Sequence, residues 1–123
     1  MTIKKITPYQ ILDSRGEPTL LVMMTSDSGN TADFSVPAGA SKGEGEATEK
    51  RDGEGPYGGK GVLSCLDIIN TVIAPKFIGY PLDQLEDFDG LLIALDGSEK
   101  KQNFGANTLL ALSGAYLKLS AVE

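Results

Sequence analysis

The sequence predicts an α+β fold, a three-stranded antiparallel meander followed by a layer of helices. Three stretches with strand-like patterning come first, and three segments with a helical spacing of apolar residues follow them. Because the strands precede the helices instead of alternating with them, the order favours α+β over a parallel α/β sheet. With 123 residues and 41% hydrophobic content, we expect a single domain over residues 1–123 with its own core.

The predicted strands differ in how much of their surface should be covered. Pro8 has no N–H to donate to a neighbouring strand, so the first strand should lie at the edge of the sheet. The run from Leu20 to Met24 is apolar throughout, which predicts a central strand covered on both faces. The strands are predicted at Ile3–Leu12, Thr19–Thr25 and Thr31–Val36.

The helices are predicted from apolar residues that recur on one face, with proline and glycine at their ends. The connection from Gly39 to Gly61 holds eight of the 15 glycines, which predicts a long mobile loop. A short helix at about Glu46–Arg51 is expected to interrupt it. The predicted helices are Lys60–Ala74, about Leu82–Leu95 and about Ala106–Val122, and Pro75, Pro81 and Gly97 are expected to mark their ends or the loops between them.

Charge and composition exclude several classes of function. The 11 basic and 17 acidic residues give a net charge of -6, which disfavours nucleic-acid partners and anionic membranes. The chain has no histidine, which excludes His-dependent triads and His-rich zinc sites within it. The single cysteine, Cys65, lies in an apolar periodic segment and predicts a buried thiol in a reducing compartment. Without a signal-like or membrane-spanning apolar run, a soluble cytoplasmic protein is expected.

Two patterns that suggest ligand binding are better explained without it. Gly53–Gly58 matches the dinucleotide pattern G-x-G-x-x-G, but that fingerprint must follow a strand and open a helix, which is not expected here. A Walker A loop fails as well, because Lys60 is followed by glycine instead of a hydroxyl residue. The acidic run from Glu44 to Glu54 is interleaved with basic residues, so a solvated face is favoured over a metal site. No carboxylate stands out as an internal general base.

Two loops leave a functional and a structural interpretation open. At Asp13-Ser14-Arg15-Gly16, Asp13 and Arg15 could hold each other or a neighbouring domain, and a capped hairpin corner is the favoured interpretation. In the loop Pro37–Gly43, small residues let backbone N–H groups approach an anion, and the hydroxyl of Ser41 could coordinate a hard cation. From the residues alone, that loop fits an ordinary glycine loop equally well.

Six segments taken in order resemble the N-terminal domain of the enolase family over essentially the whole chain. Each short motif is common, but six in order at compatible spacing are specific. The resemblance implies three antiparallel strands followed by helices. The six segments are Asp13–Thr19, Val36–Gly43, Arg51–Gly53, Gly59–Val62, Leu95–Ser98 and Gly105–Thr108.

The resemblance also implies an activity, that of a phosphopyruvate hydratase, a glycolytic lyase that converts 2-phosphoglycerate to phosphoenolpyruvate with two Mg²⁺ ions. It assigns Ala38, Gly39 and Ala40 to the backbone of a closing lid and Ser41 to the ligation of the second Mg²⁺. The catalytic base, the acid and the carboxylate ligands of the first Mg²⁺ would lie on a barrel domain, joined in cis or supplied in trans. No catalytic residue is therefore expected in this chain, and by itself it should be inactive.

Three departures from the family pattern bear on function. Lys42 stands where the lid usually has threonine, and Gly45 replaces the usual histidine after it. Leu21 occupies a position where the family often has a glutamate paired across a homodimer, so a weaker dimer is expected. The alternative function is a stand-alone enolase-like domain that binds another protein without catalysis.

Overall fold

The computed structural model describes residues 1–37, 49–97 and 103–123. Its sheet contains three antiparallel strands in the order β1-β2-β3. The strands are β1 at Ile3–Leu12, β2 at Pro18–Ser26 and β3 at Thr31–Ser35. These bounds lie within one residue of the predicted ones, and the helices follow the strands, so the predicted α+β architecture is confirmed.

The first strand lies at the edge of the sheet, as Pro8 predicts. Pro8 lies opposite Val22 of β2, which is the central strand. Among the described residues, the backbone of β1 is hydrogen-bonded on its other side near its beginning alone, where the Ile3 N–H donates to the carbonyl of Tyr80 at 2.9 Å. The Gly79 N–H donates to the carbonyl of Ile3 at 2.7 Å and completes this short contact.

The two faces of β2 are buried to different extents. Leu20, Val22 and Met24 are fully buried and belong to the core, whereas Leu21 and Met23 on the opposite face are half-buried. The expectation that both faces of this strand are covered is therefore wrong for the described residues. The physical reason is that the buried residues of the helices form one core cluster with Leu20, Val22 and Met24, and not with Leu21 and Met23.

The helical layer contains one long irregular helix and two regular ones. α1 at Leu63–Ile68, a π-helical segment at Ile69–Ile73 and α2 at Ala74–Phe77 follow each other without a break. The predicted first helix is thus shifted, and Pro75 lies inside it instead of ending it. The wider π turn before Pro75 accommodates a residue that has no N–H for the helical ladder. The regular helices are α3 at Leu85–Asp96 and α4 at Ala106–Ala121, near their predicted positions.

The glycine-rich connection is described from Glu49 onward. Residues 49–51 are not helical, which corrects the predicted short helix over that part, and its earlier residues lie outside the described ones. A 3₁₀ turn at Pro56–Gly59 follows, closed by hydrogen bonds from Gly53 N–H to Gly59 O and from Asp52 N–H to Gly61 O, both 2.9 Å. These bonds join the two ends of the stretch from Asp52 to Gly61, so this part of the predicted loop contains a closed turn.

The core lies between the sheet and the helices, and aromatic rings fill one end of it. The rings of Phe88 and Tyr116 stack at a centroid distance of 4.2 Å, and Phe77 meets Phe88 edge-on at 5.0 Å. α4 approaches the sheet closely where Gly114 faces the ring of Phe34. Within the described ranges, no helix has the length and apolar character needed to cross a lipid bilayer.

Candidate functional site

The hairpin between β1 and β2 is shaped by the carboxylate of Asp13. Its Oδ1 accepts hydrogen bonds from the N–H groups of Arg15 at 2.8 Å and Glu17 at 3.0 Å. These bonds, with that from Glu17 as the larger cause, lower the pKa of the Asp13 carboxyl. Gly16 takes the positive φ of 77° that the turn requires. Asp13 thus holds Arg15 through the backbone, which leaves the Arg15 guanidinium without a hydrogen bond among the described residues.

The guanidinium of Arg51 joins this hairpin to the glycine-rich segment. One nitrogen donates to the carbonyl of Pro18 at 2.6 Å and to the carbonyl of Lys60 at 2.9 Å. The other pairs with the carboxylate of Glu49 at 3.3 Å, and both side chains are mostly buried. Guanidinium suits this position because its fixed fork can bind acceptors in several directions at once. Lys60 adds an exposed ion pair to Glu17 at 3.0 Å.

The next residue, Asp52, fixes the start of α1. Its carboxylate accepts from the N–H of Leu63 at 3.1 Å and of Ser64 at 2.8 Å, so it caps a helix that begins 11 positions later. Burial opposes ionisation of Asp52, but the hydrogen bonds from Ser64 and Leu63 outweigh it and lower the pKa of the carboxyl. A Cβ at Gly61 would lie 2.6 Å from Oδ2 of Asp52, so a larger residue there would displace the carboxylate from its position at the start of α1.

Both ends of the segment 38–48 are anchored by buried side chains. Before it, Thr19, which is buried, donates its hydroxyl to the carbonyl of Val36 at 2.8 Å. After it, the side-chain amide of Asn107 accepts from the N–H of Lys50 at 2.9 Å and donates to the Lys50 carbonyl at 3.0 Å. The segment therefore leaves from one fixed position and returns to another.

A second buried carboxylate positions the turn before α4. Asp96 is 3% exposed, and its Oδ2 accepts from the N–H of Phe104 at 2.7 Å. The side chain of Asn103 donates to the carbonyl of Asp96 at 2.6 Å. α3 ends at Gly97, which has a φ of 71°. This turn places Gly105 and Asn107 at the start of α4, beside Lys50.

The described residues of the six segments thus belong to one connected network, through hydrogen bonds and through adjacency along the chain. The bond between Asn107 and Lys50, which is adjacent to Arg51, spans 57 positions. The family profile described as "Enolase, N-terminal domain" matches residues 3–123. The chain belongs to the enolase N-terminal domain family. The family resemblance predicted from the motifs is confirmed.

Individual enolases match over nearly the whole chain. It is 45% identical to an enolase of Desulfotalea psychrophila over 97% of its length and 46% identical to one of Malacoplasma penetrans over 98%. An enolase of Bifidobacterium longum is 47% identical over 97% of the chain. The chain spans only 27–28% of the length of these enolases, so most of each relative has no counterpart in it.

The structure places only part of the enolase site predicted from the sequence. Asp13 and Arg15 lie in the β1–β2 hairpin, which Arg51 and Lys60 join to the rest of the network. The predicted lid residues and the departures beside them lie outside the described residues. These are Ala38, Gly39, Ala40, Ser41, Lys42 and Gly45.

The described residues contain no group of three or more Asp, Glu, Cys or His side chains placed to hold a metal ion. Cys65 is fully buried, and burial raises the pKa of its thiol. Leu21 lies on the half-buried face of the sheet, opposite Tyr9 of β1 and Ser35 of β3.

A separate apolar groove of about 260 Å³ lies between α3 and α4. It shares no lining residue with the enolase motif network. Ile93 and Leu110 line it, and they are 47% and 37% exposed, respectively. An apolar surface of this kind is typical of contact with another protein or domain.

Sequence reasoning missed three residues that organise the network. The enolase motifs include Arg51, Asp52 and Asn107, and the acidic run also includes Asp52, but neither pattern predicts the hydrogen-bonding roles of these residues. A short D-G or G-A-N motif carries no information on its distant partner, and the partners of these side chains lie up to 57 positions away. The one available signal was the placement of all three in motifs of a single family.

Proposed function

We propose that this chain is the lid-bearing N-terminal domain of an enolase that converts 2-phosphoglycerate to phosphoenolpyruvate and water in the cytoplasm. The observation that carries this proposal is that residues of the enolase motifs bond the chain on both sides of the segment 38–48, Thr19 before it and Asn107 after it. A domain whose hydrogen bonds fix both ends of one segment is suited to presenting that segment to a partner. Lids of this kind sequester a reaction from water.

Within that enolase, the chain supplies lid groups and no catalytic acid or base. By the enolase resemblance, Ala38, Gly39 and Ala40 would supply the lid backbone, and the hydroxyl of Ser41 would ligate the second Mg²⁺. When bound, the metal ions stabilise the negative charge that develops on the substrate carboxylate. Arg15 and Asp13 form a hairpin corner that contacts the barrel or a second subunit.

The catalytic groups belong to a barrel domain that the 123 residues do not include. The relatives are more than three times as long as this chain, which leaves room for such a domain. The chain by itself is therefore inactive. A homodimer through the N-terminal domain is weakened because Leu21 supplies no charge for a salt bridge.

A second candidate function is favoured by the groove between α3 and α4. Its exposed apolar residues give the domain a surface for a protein partner without any catalysis. In that case the chain is a stand-alone binding module. The two candidates differ in whether joining the chain to an enolase barrel gives activity.

The test is a chimera in which this chain replaces the matching N-terminal part of the Bifidobacterium longum enolase. We expect the chimera to form phosphoenolpyruvate, measured by its ultraviolet absorbance, and the chain alone to form none. Ser41→Ala should raise the Mg²⁺ concentration needed for half-maximal rate or lower turnover. Ser113→Ala on α4 is the matched control and should change neither.

Each part of the proposal has its own contrary result. A chimera that folds, by circular dichroism, but forms no product contradicts the assignment of a competent lid and favours the binding module. An active chimera in which Ser41→Ala has unchanged Mg²⁺ dependence and turnover contradicts the role of Ser41 alone.

A further inference from the structure

The backbone of Lys50 is held by side chains from two different helices. Both of its polar atoms bond to the amide of Asn107, the N–H at 2.9 Å and the carbonyl at 3.0 Å. The thiol of Cys65 on α1 donates to the same carbonyl at 3.5 Å. The Asn107 side chain thus bonds both backbone polar atoms of Lys50, as a neighbouring strand would do in a sheet.

Only an asparagine-like group satisfies both atoms of Lys50. The amide of Asn107 has an acceptor on one side and donors on the other, and the reverse orientation would set donor against donor. Its remaining N–H points to the sulfur of Cys65 at 3.6 Å, so the amide is fully used. The residue is 2% exposed, and water therefore cannot replace these bonds.

A second residue of the same motif makes room for the contact. Gly105 has a φ of 92°, and a Cβ there would lie 2.4 Å from the Cβ of Lys50 and 2.8 Å from its nitrogen. Contact with Lys50 therefore accounts for both the glycine at position 105 and the asparagine at position 107. Neither residue is assigned a part in the proposed lid chemistry.

From this geometry we infer that Asn107 is a positioning residue, whose amide fixes the chain at Lys50, two residues beyond the segment 38–48. Its value to catalysis rests on the proposed function, because the segment matters there through Ser41. The hydroxyl of Thr19 holds Val36 at the opposite end. Loss of the Asn107 contact releases one end of the segment and leaves the other end bonded.

The test uses the 123-residue chain and its single cysteine as the reporter. Cys65 is fully buried and bonded to the Lys50 carbonyl, so a disulfide reagent reaches it only when the structure opens, either locally at this contact or globally. Asn107→Asp is the informative variant, because an ionised carboxylate accepts from the Lys50 N–H but repels the Lys50 carbonyl. A protonated carboxyl, in contrast, donates to that carbonyl as the amide does.

We expect Asn107→Asp to raise the labelling rate of Cys65 by at least about tenfold at pH 8. A factor of ten corresponds to the loss of one buried hydrogen bond, which makes opening of the contact easier. At pH 5 the rate should return toward that of the unsubstituted chain at the same pH, because burial raises the pKa of the new carboxyl. The neighbouring groups are the Lys50 ammonium, Asp52, whose pKa is lowered, and Cys65, whose pKa is raised. Comparison at equal pH removes the titration of the thiol itself.

The matched control is Asn30→Asp, since Asn30 also donates to a backbone carbonyl, that of Val122, but lies far from Lys50 in sequence. It should change labelling by no more than about twofold at either pH, as for most surface substitutions. Low concentrations of urea separate the mechanisms, because global unfolding accelerates with urea and local opening does not.

Two results overturn the inference: labelling of Asn107→Asp at the unsubstituted rate at pH 8, or a raised rate that does not fall at pH 5. A variant that is unfolded at pH 8 and folds at pH 5 supports it, whereas one unfolded at both contradicts it. In the chimera with the Bifidobacterium longum barrel, Asn107→Asp should raise the Mg²⁺ requirement at pH 8. Inactivity of the unsubstituted chimera contradicts the proposed function and leaves the labelling result to decide the role of Asn107.

Discussion

The close approach of α4 to the sheet predicts opposite effects for one substitution at two glycines. A Cβ at Gly114 would lie 2.4–2.6 Å from three atoms of the Phe34 ring. Ordinary carbon–carbon contacts are about 3.5–4.0 Å, so the helix or the ring must move by about 1 Å. Phe34 is paired with Val22 in the sheet, which resists that movement. Gly90 in the middle of α3 is exposed and has nothing within 4 Å of the same position.

The size of the effect follows from two opposing contributions. Alanine in a helix is favoured over glycine by about 1 kcal/mol. Overpacking of a well-filled site costs about 1–3 kcal/mol. We therefore expect Gly114→Ala to lower the free energy of unfolding by about 1–2 kcal/mol, because the contacts fall far below van der Waals distance. Gly90→Ala should raise it by about 0.5–1 kcal/mol.

Thermal unfolding followed by circular dichroism measures both effects. For a chain of this length, 1 kcal/mol corresponds to about 4 °C in Tm. The Phe34→Ala background is the control, because removing the ring should abolish the penalty of Gly114→Ala. If Gly114→Ala stabilises the chain as much as Gly90→Ala does, the close approach of α4 to the sheet does not constrain the helix.

Two further substitutions test the helix cap and the aromatic cluster. Asp52→Asn should lower the free energy of unfolding, measured in urea, by about 0.5–1.5 kcal/mol at pH 7, because the amide keeps one of the two acceptor oxygens and loses the other. Because the folded pKa of Asp52 is lowered, its charge stabilises the fold at pH values above the unfolded pKa. The difference in free energy of unfolding from Asp52→Asn should therefore disappear as the pH falls below about 4. A difference that persists at pH 2.5 would contradict this. Tyr116→Phe should lower the free energy of unfolding by about 1–3 kcal/mol. The lost hydroxyl donates to the Pro81 carbonyl at 2.5 Å and accepts from the Gln84 N–H at 3.0 Å. An unchanged urea midpoint would refute that role.

The sequence predicts the position of those elements whose signals lie within the element itself. Strand alternation located β1 and β3 to within a residue, and Pro8 identified the edge strand. The start of α1 was misplaced because its cap is Asp52, a residue too distant in sequence to be read as a helix signal. Pro75 predicts a helix end or a loop, whereas it lies inside the helix, because the π segment that accommodates it has no sequence signature.

The candidate site was predicted as a set of motifs but not as a network. The enolase resemblance identified Gly105–Thr108, yet nothing in those letters indicates that Asn107 bonds to Lys50. Such pairs depend on how α4 packs against the sheet, which is decided by the whole core. The same holds for Arg51, whose acceptors are the carbonyls of Pro18 and Lys60.

The bond between Lys50 and Asn107 also has a consequence for the order of folding. It closes a loop of 57 residues. Closing such a loop lowers the entropy of the chain, and this loss is offset only by the contacts that form when α4 docks. During synthesis, Lys50 leaves the ribosome long before Asn107 does. The meander can pair its strands meanwhile, but the chain at Lys50 gains this bond only after the last helix has emerged. The late-folding part of the domain is therefore the one that serves the proposed lid.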